Sequence, residues 1–212
     1  MLPGEKSFAG LDRLERSVGV TLTGMNTNVK QPFLTDIKEL RNRARQHIER
    51  GAVTDNYEGD AKDAIDLLQI ALATEIVCVL RYTMHAVAAV GIDSESVKEE
   101  FTEHANDERH HLELIADRIN QLGGTPNLNP EGLHTRSATE YGNAETLVDM
   151  IKENLVAERI AVEHYRDLVR HFGENDPTTR IMLEGILAQE EDHANDMHDL
   201  LVAHQGKPFL NS

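Results

Sequence analysis

The chain has 212 residues, 40% hydrophobic and 27% charged, which is enough apolar material for one core and argues against a disordered chain. Its formal net charge is −16, and the sign is uneven: residues 1–50 carry nine basic and six acidic side chains (+3), residues 51–212 twelve and thirty-one (−19). A body this acidic repels phosphate backbones, so nucleic acid is a poor partner for it, and no apolar run reaches the ~18 residues of a membrane span. No signal peptide opens the chain, and a single cysteine, Cys78, excludes a disulfide framework; a reduced, cytoplasmic protein is expected.

In chain order, residues 1–34 show no sustained periodicity and read as an arm, the first part of an N-terminal extension over 1–59. Thr35 is placed to cap a short helix near 36–49, in which Ile37, Leu40, Ala44 and Ile48 follow a 3–4 spacing. From Asp60 to residue 204 the pattern is helical, in four segments near 60–90, 94–122, 144–172 and 178–204, with 205–212 as a tail. Ser94 is placed to cap the second segment; Gly123 to Pro126 end it, and Gly173 to Pro177 separate the last two. Residues 123–143 are too many for a bundle turn. They suffice to cross a ~42 Å helix lengthwise, so the expected architecture is all-α: helix pair, crossover, helix pair.

Two carboxylates fall on apolar faces. Glu75 has Leu68, Ala71, Leu72, Cys78, Val79 and Tyr82 as helical neighbours; Glu158 has Ile151, Asn154, Leu155, Ala161, Val162 and Tyr165. A buried carboxylate is costly unless paired or bound to a cation, and these faces supply no Arg or Lys. The other two helices each carry a Glu-x-x-His pair, Glu108/His111 and Glu190/His193, again among apolar residues. Glu75 lies 17 residues before Ile92 and Glu108 lies 16 after it; Glu158 lies 17 before Asn175 and Glu190 lies 15 after it. All four acids therefore reach one level of the bundle. Four carboxylates and two imidazoles there make a dinuclear metal site, suited to iron, manganese or zinc rather than calcium. Two further Glu/Asp-x-x-His spacings are set aside: Glu131/His134 lies among Pro and Gly in the crossover, and Asp107/His110 is rotated about 100° from the Glu108 face.

This constellation over 60–204 resembles the ferritin-like carboxylate proteins, and the segments around Glu75, Asp107–His111, Glu158 and Glu190–His193 look most like the bacterioferritins. The resemblance implies a ferritin-like four-helix bundle whose Glu75, Glu108, His111, Glu158, Glu190 and His193 are di-iron ferroxidase ligands, Glu108 and Glu190 bridging. It implies oxidation of Fe²⁺ by O₂ or hydrogen peroxide for iron storage or detoxification. Tyr82 matches a tyrosine beside that site, a hydrogen-bond or electron donor; a core tyrosine with a satisfied hydroxyl is the other reading. Arg109 stands where the family's haem-binding Met would be, so no haem is expected. The short tail lacks the fifth helix of 24-subunit shells, which leaves a 12-subunit homo-oligomer open beside a 24-subunit one. A peroxidase, catalase or oxygenase on the same scaffold, and a mini-ferritin-like DNA-protecting protein using Arg41, Arg43, Arg45 and Arg50, are the alternatives.

Overall fold

The computed structural model describes residues 35–91, 94–142 and 144–205, so the arm over 1–34 and the tail from 206 lie outside the described residues. From Ile37 onward these residues form one unit. Its helices are α1 (Ile37–Arg43), α2 (Ala61–Ala88), α3 (Ser94–Gln121), α4 (Leu133–Arg136), α5 (Leu147–Phe172) and α6 (Pro177–Gln205), with no strand among the described residues. None of the helices is long and apolar enough to cross a membrane.

Three of the four long helices start where a cap dictates. The Asp60 carboxylate accepts from the backbone N–H of Lys62 and Asp63, and Thr146 Oγ1 accepts from Asp149 N–H at 3.2 Å. Asp176, ahead of Pro177, accepts from Thr179 N–H at 2.9 Å. Gly123 (φ +87°) and Gly173 (φ +46°) end α3 and α5 in the left-handed region. Ser94 is the first helical residue rather than the cap, and its hydroxyl donates to Gly91 C=O at 2.9 Å.

α2 packs along α3, and α5 along α6, as two hairpins. The connection between them runs along the middle of α2. Gln69 holds Thr125 C=O and Asn127 N–H, Thr74 Oγ1 accepts from Ala138 N–H, and Arg81 donates to Thr139 Oγ1 and Glu140 C=O. From Gln69 to Arg81 is about 18 Å of helix. Leu133 of α4 plugs this strap onto Ala73 and Val77. Four residues are too few for a periodic signal, which is why α4 does not stand out in the sequence.

The predicted helix over 36–49 forms only as α1 and a 3₁₀ turn at Ile48–Arg50, broken by His47 at φ 49°. Ile37, Leu40 and Ile48 are all exposed. Its apolar stripe has no surface to bury against in this unit, and so short a helix is marginal alone.

Two apolar clusters fill the bundle. One gathers Leu68, Leu72, Ile115, Ile119, Leu168, Leu183 and Ile186; the other gathers Phe101, Ile151, Met197 and Leu201. On every long helix the residues between these clusters are the acids and histidines singled out above.

Candidate metal centre

Glu75, Glu108, His111, Glu158 and Glu190 are 0% exposed and His193 is 3% exposed. Their ligand atoms form two sets, Glu75/Glu108/His111/Glu190 and Glu108/Glu158/Glu190/His193, each with all atoms within 4.8 Å of one another. Glu108 and Glu190 belong to both. The six residues therefore meet within one chain, with two shared carboxylates in the middle.

The imidazoles are aimed by what holds their far side. His111 Nδ1 lies 3.0 Å from Glu190 Oε1, 3.3 Å from Glu108 Oε2 and 3.5 Å from Glu75 Oε2, while its Nε2 meets Gln189 Oε1 at 3.0 Å. His193 Nδ1 lies 3.7 Å from both Glu108 Oε1 and Glu190 Oε2, and its Nε2 faces Asp107 Oδ2 at 3.4 Å. With Nε2–H donated outward to Gln189 and Asp107, both Nδ1 atoms face the acids.

Two tyrosines cross the centre. Tyr82 donates its hydroxyl proton to Glu158 Oε1, and Tyr165 donates to Glu75 Oε1. Each tyrosine lies seven residues after the acid on its own helix and serves the acid on the other. Tyr82 thus touches the site through Glu158, not through Glu75, whose face it shares. Several groups escape the reading of the sequence: Tyr165, Gln189, Asp107 and His104. The repeat of Glu75/Tyr82 as Glu158/Tyr165 is the signal that finds the first.

The charges explain the arrangement. Burial, then the negative charge of Glu108, raises the Glu75 carboxyl well above the usual range; burial, then Glu108 and Glu190, does the same to Glu158. Burial would raise Glu108 too, but the facing imidazoles of His111 and His193 outweigh it and hold Glu108 well below. Burial opposes charge on both imidazoles, yet the carboxylates around them win: His111 is raised, and His193 is pushed up to about 11. Without a cation the centre keeps protons on its imidazoles, and its two outer acids resist ionising. Nearby bases do not relieve it: buried Arg81 is bound by Asn154, Thr139, Glu140 and Cys78, and Arg118 by Asp176 and Thr179.

Glu75 Oε2, Glu108 Oε1, Glu158 Oε2, both Glu190 oxygens and His193 Nδ1 have no fixed hydrogen-bond partner in the protein. Buried acceptors are rarely left so. Divalent cations with a preference for oxygen and nitrogen satisfy all of them at once, so the residues present fit a pair of such ions.

Comparison with known proteins follows the same lines. The model of the ferritin-like domain matches residues 65–205. The DNA protection during starvation protein of Pyrococcus furiosus is 30% identical over 152 residues, 70% of this chain and 80% of that protein. Bacterioferritin of Mycobacterium leprae is 27% identical over 137 residues, 64% of this chain and 81% of that protein. A solved structure, the dodecameric bacterioferritin-related thioferritin of Bacteroides fragilis, shares 34% identity with a TM-score of 0.67, covering 73% of this chain and 94% of its own. The domain match begins ten residues before Glu75 and runs past His193, so it takes in the four long helices apart from the first turn of α2, and every acid of the centre, and the chain belongs to the ferritin-like family.

Proposed function

We propose that this chain is a cytoplasmic ferroxidase that takes up Fe²⁺ in pairs and oxidises it to Fe³⁺, for iron storage or detoxification, in a homo-oligomeric shell. The observation that carries the reading is the two four-residue sets sharing Glu108 and Glu190, with pocket-facing atoms that have no fixed hydrogen-bond partner. Iron is the substrate: each Fe²⁺ gives up one electron, and two together, with two protons taken up in either case, reduce O₂ to H₂O₂ or H₂O₂ to two waters.

The residues do the rest. Glu75 with His111, and Glu158 with His193, hold one ion each; Glu108 and Glu190 span both. Tyr165 and Tyr82 pin Oε1 of Glu75 and Glu158, which leaves each Oε2 turned to the pocket. Anionic oxygen donors stabilise Fe³⁺ more than Fe²⁺, which favours the oxidation. The thioferritin's dodecameric state supports a 12-subunit shell here, testable by native mass.

The test is an anaerobic Fe²⁺ titration of metal-free protein followed by air. Fast oxidation continuing well past about two irons per chain supports storage. Saturation at about two would favour a fixed dinuclear enzyme acting on peroxide or an organic substrate. No oxidation would sink the proposal.

The name of the Pyrococcus relative favours one second reading, protection of DNA. Arg41, Arg43, Arg45 and Arg50 would have to supply it, although Arg43 lies 3.6 Å from Glu39 and Arg50 lies 3.8 Å from Asp55. A gel shift at low salt with duplex DNA decides it, and no retention removes it.

A further inference from the structure

Beside the dinuclear pocket, on the α3/α6 face, lies a second group of ligand-type side chains: Glu100 and His104 of α3 and Asp196 of α6. His104 is 2% exposed, and its ring stacks on that of His193 with centroids 4.0 Å apart. Glu100 and Asp196 reach the surface, with side chains 32% and 51% exposed. One ring therefore separates the solvent-facing acids from the buried centre.

The hydrogen bonds decide which nitrogen of His104 is free. When Glu158 acts as a carboxylate ligand, its Oε1 can only accept, and the one hydroxyl proton of Tyr82 is committed to it. The Tyr82 oxygen then accepts from His104 Nδ1, 3.0 Å away. A neutral His104 with its proton on Nδ1 presents a lone pair at Nε2. That lone pair faces Glu100 Oε1 at 3.3 Å and Asp196 Oδ2 at 3.7 Å. Three acceptors converge with no proton among them. Ligands about 2.1 Å from one metal ion stand about 3.0–3.4 Å apart in octahedral or tetrahedral geometry, close to these separations.

We infer that Glu100, His104 Nε2 and Asp196 form a third divalent-cation site, distinct from the dinuclear pair and one imidazole away from it. It rests on the proposed function only in that a cation on Glu158 sets the tautomer of His104. One nitrogen and two carboxylate oxygens suit Fe²⁺, Mn²⁺ or Zn²⁺. The remaining positions are open to water, so an ion here is exchangeable where the buried pair is enclosed.

The test uses the full metal-free chain and Zn²⁺, which is redox-inert. Equilibrium dialysis is expected to give about three Zn²⁺ per chain, and about two in the double variant Glu100→Gln/Asp196→Asn, whose changes lie at the surface away from Tyr82. Anomalous diffraction from Zn²⁺-soaked crystals is expected to place a peak at His104 Nε2 in the wild type and none there in the variant. Two ions in both proteins, or a third that survives the double substitution, overturns the inference. The peak at His104 is read separately from those inside the pocket: its absence beside a filled pocket refutes this site alone, whereas an empty pocket refutes the ferroxidase reading.

Discussion

Loading the centre with a redox-inert ion such as Zn²⁺ must expel the protons that hold its charges in balance. His111 and His193 are both raised and protonated at neutral pH, and each offers metal a lone pair only after losing the Nδ1 proton. Glu75 and Glu158, both raised by burial and by the neighbouring acids, must ionise as well. The two imidazolium protons give about two released per chain on filling both positions, and the raised carboxyls add to them. By linkage the combined binding constant then rises by at least about two decades per pH unit, about 2.7 kcal/mol, so affinity falls steeply on acidification. Calorimetric titration in buffers of different ionisation enthalpy counts the protons directly. Glu158→Gln, which imitates the protonated acid and still accepts from Tyr82, is expected to release fewer protons and to weaken one of the two positions. Its metal-free stability should stay within about 1 kcal/mol of wild type. Fewer than about one proton per ion, or pH-independent affinity, refutes the account of the charges.

Three other outcomes follow from single contacts. Tyr165→Phe removes the donor to Glu75 Oε1 and is expected to cost about 1–2 kcal/mol in denaturant unfolding of the metal-free protein. Asp176→Ala strands buried Arg118, which binds both carboxylate oxygens at 2.9 and 3.0 Å; a loss of about 3–5 kcal/mol is expected, read as a melting drop near 10 °C. His85 is buried beside Asn154, and burial lowers its pKa to about 4, so folding disfavours its protonation. It costs no stability above pH 6.5 and about 3 kcal/mol once the pH has fallen through 6.5 to 4. His85→Gln should flatten that part of a stability–pH curve; an unchanged slope refutes the assignment.

The acids of the centre are legible in the sequence because their surroundings are wrong for them. Glu75 among Leu68, Leu72 and Val79 demands a counter-charge that no local residue supplies, and matched distances from two turns place four such acids at one height. Contacts that depend on how one helix is rotated against another are not legible in this way. Asp107, one position from Glu108, points about 100° away along its own helix, yet the His193 ring reaches it from α6. Tyr82 serves Glu158 because α5, not α2, presents the nearer carboxylate. The apolar stripe of 36–49 misleads in the opposite sense: periodicity reports that a face exists, not that anything covers it, and Ile37, Leu40 and Ile48 remain exposed.

Each of the two four-residue sets draws three members from one hairpin and a single carboxylate from the other. The α2–α3 hairpin brings Glu75, Glu108 and His111 and borrows Glu190; the α5–α6 hairpin brings Glu158, Glu190 and His193 and borrows Glu108. Neither half can close a site of its own, and each exchanged carboxylate acts as a staple across the seam. Loaded ions thereby become cross-links between halves of the molecule. A chain nicked by protease in the strap between Gly123 and Gly142 should hold together while metal is bound and come apart when a chelator removes it.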